Sequence, residues 1–168
     1  MAAQSPQNPS ELPGNFRSRV FIGGSYRTST PDAPLVASRQ TLDELERLVQ
    51  SLELHPVVAD QFRVDEPDAE IHRDAIFLLH ACRFAIFELS GFSGALMELE
   101  RSVDFGTNCL ILYHDPEGKG WRLSRMLSSF AVEHAARVRL FGYTHWSSAI
   151  DSARNWLEEM LRLRHARR

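Results

Sequence analysis

The feature that most constrains the fold of this 168-residue chain is its regular alternation of short apolar runs with amphipathic segments. Short apolar runs bounded by glycine or polar clusters predict buried strands, and apolar residues at helical spacing predict amphipathic helices. The predicted strands are residues 19–24, 55–59, 84–89, 109–113 and 138–142. The predicted helices are residues 36–54, 69–82, 94–105, 123–134 and 147–164.

This alternation predicts the fold class. Strands that alternate with helices form a parallel sheet with helices on both faces. We therefore expect one α/β domain over residues 19–168, doubly wound in the flavodoxin or Rossmann manner, with five parallel strands. Residues 1–15 are rich in Gln, Ser, Pro and Asn without a hydrophobic period, and we predict a disordered leader over residues 1–18.

The composition excludes several classes of function. A formal charge of −3 and a pI of about 6.2 leave no general footprint for nucleic acid or a membrane surface. No apolar run approaches membrane length and no signal peptide is evident, so we predict a cytoplasmic protein. Cys82 and Cys109 belong to no paired-ligand motif and are predicted to be buried free thiols. We predict no metal and no cofactor.

Small and polar residues follow the first and third predicted strands. The first strand runs into Gly23, Gly24, Ser25 and Arg27, and the third is followed by a turn that contains Ser93 and Gly94. In doubly wound sheets the ligand crevice lies beyond the carboxyl ends of the strands. Consecutive glycines expose backbone N–H groups, and a nearby arginine can bind a phosphate or carboxylate. A plain turn explains the same glycines, so the residues alone leave both interpretations open.

Two acids lie in the first turns of predicted helices. Asp74 is at the edge of a core-facing stripe, where desolvation would suit a general acid, although a first-turn aspartate also simply favours the helix dipole. Glu98 lies off the predicted buried face, where it could pair with Arg101 or Ser102, and spacing alone favours a solvated glutamate. Glu88 ends the third strand and is interpreted as a structural residue that organises the following loop.

Four blocks of residues resemble the nucleoside 2-deoxyribosyltransferase superfamily, and most closely its 2′-deoxynucleoside 5′-monophosphate N-hydrolase branch. They occur in the family's order and cover the chain from residue 19 to about residue 126. The blocks are Phe21-Ile22-Gly23-Gly24-Ser25-Tyr26-Arg27, Ile71-His72 with Asp74, Glu88 through Glu98-Leu99-Glu100-Arg101, and Gly120-Trp121-Arg122-Leu123-Ser124-Arg125-Met126.

This resemblance implies an N-glycosidase that splits a nucleoside 5′-monophosphate into free base and sugar 5-phosphate. It implies that Glu98 is the nucleophile that forms a glycosyl-enzyme intermediate and that Asp74 is the acid that assists departure of the base. The residues that it implies for substrate binding are Phe21, Gly23, Gly24, Ser25, Arg27, Ser93, Gly94 and Ser124. Ser124 would reach the phosphate bound by a neighbouring subunit, so the resemblance also implies a homodimer.

The resemblance leaves alternatives open. The family often has a tyrosine at the position of Phe21, near the sugar, so both ribose and 2′-deoxyribose remain candidates. Transfer of deoxyribose between bases is the first alternative to hydrolysis. An NAD hydrolase of the TIR type, which also uses a helix glutamate on such a sheet, is a more distant one. A non-catalytic nucleotide-binding module is the alternative from a different class.

Overall fold

The computed structural model describes residues 12–24, 39–58, 75–89, 95–118 and 125–165. Its strands are β1 (Arg19–Gly24), β2 (His55–Val58), β3 (Phe84–Glu88), β4 (Asn108–His114) and β5 (Val138–Tyr143). Its helices are α1 (Arg39–Ser51), α2 (described over residues 75–80), α3 (Ala95–Asp104), α4 (Arg125–Glu133) and α5 (Trp146–His165). The strands form one parallel sheet in the order β2-β1-β3-β4-β5, which confirms the predicted fold class.

The helices cover both faces of the sheet. Alternate residues of each strand point to opposite sides, so each buried strand contributes apolar side chains to two cores. One face, which we call the α3 face, is packed by α2, α3 and α4. Its core includes Phe21, Phe87, Ile111, Leu78, Leu99 and Leu127. The opposite face, which we call the α5 face, is packed by α1 and α5. Its core includes Ile22, Ile86, Leu110, Leu42, Leu45 and Trp156.

The strand order creates a switch point between β1 and β3. The chain leaves β1 toward β2 on one side and returns to β3 on the other side of β1. The two strands end level with each other, since Gly24 of β1 pairs with Glu88 of β3. A crevice opens at such a point beyond the carboxyl ends of the strands, which is where ligands of this fold class bind.

At the amino edge of the sheet, a buried arginine donates hydrogen bonds to four backbone carbonyls. Arg19 is 5% exposed, and its guanidinium donates to the carbonyl oxygens of Leu12, Pro13, Gly14 and Ala81 at 2.9, 3.1, 2.8 and 3.5 Å. A buried guanidinium needs several acceptors, and the segment before β1 supplies three of them. Residues 12–14, which the sequence assigns to a disordered leader, are therefore held to the domain by these hydrogen bonds. Residues 1–11 lie outside the described part of the chain.

The observed element boundaries follow the predicted ones closely. Helix α1 ends at Ser51, earlier than the predicted residue 54, because Glu53 adopts a left-handed φ of 58°. The Leu54 N–H then returns to the carbonyl of Val49 at 3.2 Å, a hydrogen bond that terminates the helix. The predicted starts of the helices at residues 36, 69, 94 and 123 lie outside the described residues.

Candidate active site

A pair of phenylalanine rings, which we call the aromatic floor, lies beneath Gly23 on the α3 face of the sheet. The ring centroids of Phe21 and Phe87 are 5.8 Å apart, and both side chains are fully buried. A Cβ atom at Gly23 would lie 2.7 Å from Cδ1 of Phe87 and 3.0 Å from Cε1 of Phe21. Glycine is therefore required here by the aromatic floor, which is a packing reason that the sequence did not reveal.

Glu98 lies in the first turn of α3, on the same face of the sheet. Helix α3 packs against β1, β3 and β4, and its Leu99 is buried in the core with Phe21 and Phe87. Because a helix that follows a parallel strand begins at the carboxyl edge of the sheet, the first turn of α3 lies beside the β1/β3 switch point. The fold therefore places Glu98 near the carboxyl edge of the sheet.

The surroundings of Glu98 disfavour its charged form. The side chain is partly buried, and this burial raises the pKa of the Glu98 carboxyl from 4.5 to about 7. Desolvation raises the pKa of an acid because the low-dielectric environment penalises the carboxylate. The expectation of a solvated glutamate, drawn from spacing alone, is thus wrong. A carboxyl with a pKa near neutrality can act as an acid below pH 7 and as a nucleophile or base above it.

The two residues that sequence spacing offered as partners for Glu98 have other contacts. The guanidinium of Arg101 pairs with Asp104 at 3.6 Å on the exposed side of α3. The hydroxyl of Ser102 is buried, donates to the carbonyl of Leu99 at 2.5 Å and lies 2.9 Å from the thiol of Cys109. Ser102 thus lies on the buried side of α3, and Arg101 lies on its exposed side.

Glu88 lies on the opposite face of the sheet at the same edge. It is 1% exposed, and its Oε1 accepts a hydrogen bond of 2.9 Å from the hydroxyl of Tyr143, the last residue of β5. The interpretation of Glu88 as the organiser of the following loop stays a prediction, and the partner that the structure shows is a hydroxyl of another strand. The sequence did not reveal Tyr143, because the two residues are 55 positions apart in the chain and no local pattern links them.

The structure places three of the predicted site residues, besides Glu98, at or below this edge. Gly23 and Gly24 end β1, and Phe21 is fully buried beneath them, in the aromatic floor. The other predicted site residues lie outside the described part of the chain: Ser25, Arg27, Asp74, Ser93, Gly94 and Ser124. The catalytic and binding roles of the whole set stay predictions.

Both cysteines are buried free thiols, as predicted. Burial raises the pKa of Cys109 to about 12 and that of Cys82 still further, so neither is a reactive thiolate at neutral pH. Among the described residues no group of three His, Cys, Asp or Glu side chains is placed to hold a metal ion. No helix in the described ranges is long and apolar enough to cross a membrane.

The strand order, with its switch point between β1 and β3, defines a flavodoxin-like α/β domain. No known family profile and no curated protein matches the sequence. Among solved structures, the chain is similar to the CMP N-glycosidase BcmB of Clostridium botulinum, with a TM-score of 0.54 and 13% identity over 82% of this chain and 98% of that one. It is also similar to a 2-deoxyribosyltransferase of Leishmania mexicana, with a TM-score of 0.50 and 18% identity over 70% of this chain and 98% of that one.

These structural similarities show that the chain shares the fold of both structures, which is the fold that the resemblance in its sequence implies. Both structures are named for enzymes that act at N-glycosyl bonds, one by hydrolysis and one by transfer. The chain covers nearly the whole of each, so the similarity extends over an entire domain rather than a shared fragment.

Proposed function

We propose that this protein is an N-glycosidase that hydrolyses the bond between base and sugar in a nucleoside 5′-monophosphate. The observation that carries the proposal is the position of Glu98, a partly buried carboxyl whose pKa is raised to about 7, in the first turn of the helix beside the β1/β3 switch point. The fold shared with a CMP N-glycosidase and a deoxyribosyltransferase supports the same reaction class.

The proposed reaction proceeds in two displacements at C1′. The Glu98 carboxylate attacks C1′, the bond from C1′ to the base nitrogen breaks, and the base leaves with that electron pair and a proton from Asp74. Water then attacks C1′ of the glycosyl ester, the Glu98 carboxylate departs, and the water proton returns to Asp74. This is the two-carboxylate chemistry of retaining glycosidases, which passes through an oxocarbenium-like transition state.

Burial of Glu98 suits the first displacement. A desolvated carboxylate is a better nucleophile than a hydrated one, and its charge stabilises the positive charge that develops on the sugar. The same burial means that the carboxyl is mostly protonated below about pH 7 and mostly ionised above it. We therefore expect base release to require the deprotonated form of Glu98, with activity rising as the pH increases through that value.

The proposed substrate is anchored by its phosphate. Arg27, Ser25 and Ser93 are the residues that we propose to bind it, together with backbone N–H groups near Gly24 and Gly94, and Ser124 of a neighbouring subunit in a homodimer. Because Phe21 lies in the buried floor and has no hydroxyl, nothing at that position selects against a ribose 2′-OH. We therefore include ribonucleotides such as CMP among the candidate substrates.

The test is incubation of the purified protein with ribo- and 2′-deoxyribonucleoside monophosphates and detection of the free base by chromatography. We expect at least one nucleotide to release base in the wild type, and Glu98→Gln to abolish the release. Glu100→Gln is the matched control, since Glu100 is an exposed glutamate of the same helix. Full activity of Glu98→Gln, or no release from any nucleotide, would contradict the proposal.

Added arms separate the alternatives. Faster turnover of an unphosphorylated deoxynucleoside with a free acceptor base, and a new nucleoside as product, would indicate a transferase. Release of nicotinamide from NAD would indicate an NAD hydrolase. Thermal stabilisation by a nucleotide without any product, unchanged in Glu98→Gln, would indicate a binding module.

A further inference from the structure

Glu88 is an unusual residue for its position. It lies on the α5 face of the sheet, where its neighbours in the same core include Ile86, Leu112 and Leu42, all of them fully buried. Burial of a carboxylate is unfavourable even when it is hydrogen-bonded, and an apolar side chain of similar size generally gives equal or greater stability. Core positions that depart from this rule are concentrated at sites that serve function rather than stability.

Tyr143 connects the ends of three neighbouring strands at the carboxyl edge. Its hydroxyl donates to Glu88, the last residue of β3, at 2.9 Å, and its backbone carbonyl accepts from the N–H of Asp115, just after β4, at 2.8 Å. Tyr143 itself is the last residue of β5 and pairs with His114 of β4. The Tyr143 hydroxyl thus adds a side-chain link from β5 to the end of β3 to the backbone ladders that join both strands to β4.

The tyrosine is itself held firmly. Its ring lies 5.4 Å from the ring of His114 and 5.5 Å from that of Trp146, in an edge-on arrangement with the latter. The indole N–H of Trp146 donates to the carboxylate of Glu44 on α1 at 2.7 Å, which joins α5 to α1. The hydroxyl of Tyr143 is therefore presented to Glu88 from a fixed position rather than from a freely rotating side chain.

We propose that Tyr143 is a positioning residue that acts through Glu88 to fix the end of β3, and with it the start of α3 and the carboxyl of Glu98. This inference rests on the proposed function. After Glu88 the backbone makes one more hydrogen bond to β4, from the Leu89 N–H to the Leu112 carbonyl at 2.9 Å, and the chain then leads to α3. A small displacement of a reacting group lowers the rate far more than it lowers substrate affinity.

The test replaces both partners with apolar residues of similar shape, in the double variant Glu88→Leu/Tyr143→Phe. Because the double variant removes both polar groups of this hydrogen bond together, we expect its melting temperature to equal or exceed that of the wild type. We expect kcat to fall by about 10- to 100-fold while KM stays within about threefold. A merely structural pair would not combine undiminished stability with lost activity.

Two single variants sharpen the test. Glu88→Gln keeps an oxygen that can accept the Tyr143 hydroxyl, so we expect it to retain kcat within about threefold of the wild type. Tyr143→Phe removes only the hydroxyl, and we expect it to lower kcat as the double variant does. Wild-type kcat in the folded double variant, or a Glu88→Gln enzyme as slow as the double variant, would overturn the inference.

The failure of this inference can be told apart from failure of the proposed function. If the wild type releases base and the double variant does so equally well, only the positioning role is refuted. If no nucleotide is cleaved, the role is read from the NMR titration of the 13C-labelled Glu98 carboxyl instead. We expect its midpoint to differ between the wild type and the double variant, and identical midpoints would refute the role.

Discussion

At the carboxyl edge, the two faces of the sheet provide different environments for a glutamate. On the α5 face, Glu88 is 1% exposed and accepts a hydrogen bond from the Tyr143 hydroxyl. On the α3 face, Glu98 is only partly buried, yet its surroundings raise the pKa of its carboxyl to about 7. Both acids belong to the same β3–α3 unit, so the difference arises from what the neighbouring elements supply.

This difference indicates a division of roles. A carboxylate that is enclosed and accepts a hydrogen bond from a fixed donor is held in place within the fold. A carboxyl whose charged form is disfavoured retains free energy that a positively charged transition state can recover. The α5 face therefore maintains the geometry of the edge, and the α3 face carries the group that we propose to react.

The largest expected difference between the two glutamates is in activity. Glu98→Gln removes the proposed nucleophile, and we expect kcat to fall on the order of 10³-fold or more. Glu88→Gln preserves the acceptor for Tyr143 and is expected to stay close to the wild type. Initial rates of base release under saturating nucleotide measure both variants. Equal losses in the two variants would remove the division of roles between the faces.

The pH profile is the next largest effect. Because Glu98 must be ionised to attack, we expect kcat to rise about tenfold per pH unit below its pKa of about 7, and to fall again at the higher pH where Asp74 loses the proton that it donates to the base. Rates in a buffer series of constant ionic strength measure the rising limb. A profile that is already flat between pH 5 and 8 would contradict the assignment of Glu98 as the nucleophile.

Stability should respond to pH in the opposite direction. The folded protein keeps the Glu98 proton up to about pH 7, whereas the unfolded chain loses it near 4.5. Between these values the folded state binds more protons, so the contribution of Glu98 to the free energy of unfolding decreases as the pH rises. Above pH 7 we expect Glu98→Gln to be more stable than the wild type, by about 3 kcal/mol at most.

Removal of Glu88 should have the opposite sign. Glu88→Ala leaves a cavity in the α5 core and leaves the buried Tyr143 hydroxyl without this acceptor, and we expect a loss of about 2 kcal/mol. Urea denaturation of Glu88→Ala and Glu98→Gln at pH 8 measures the contrast. If Glu98→Gln were destabilised like Glu88→Ala, Glu98 would be a structural residue like its counterpart.

The sequence predicted the strands well and the burial of the site residues poorly. All five strands agree with their predicted bounds to within one residue, because a strand buried on both faces must be a continuous apolar run. The position of Glu98 at the carboxyl edge follows from the same alternation. Its burial does not, since exposure depends on how α3 packs over β1 and β3.

Long-range contacts account for the rest of what was missed. The Tyr143 hydroxyl bonds to an acid on a strand two positions away in the sheet, and the Arg19 guanidinium orders residues 12–14 by binding their carbonyls. Each contact depends on the register and on side-chain packing, which no local pattern in the sequence encodes. Likewise, the sequence explains the glycine pair at the end of β1 by exposed N–H groups or by a turn, and not by packing.

That glycine pair gives the smallest expected effect and compares the two faces directly. Gly23 points toward the aromatic floor of the α3 face, where a Cβ would lie 2.7 Å from the ring of Phe87, and we expect Gly23→Ala to cost about 1–3 kcal/mol. Gly24 points toward the α5 face, where the nearest atom, Cδ2 of Leu42, would lie 3.4 Å away. We expect Gly24→Ala to change the free energy of unfolding by less than about 1 kcal/mol, because alanine loses less backbone entropy than glycine.

Thermal denaturation of the two alanine variants measures this contrast without any assay of function. The rings of Phe21 and Phe87 are fully buried and cannot yield as a flexible chain end could. Equal stability of the two variants would mean that the rings of Phe21 and Phe87 can move aside for a methyl group at Gly23. Rings that move so readily would not hold α3, and Glu98 with it, in one position.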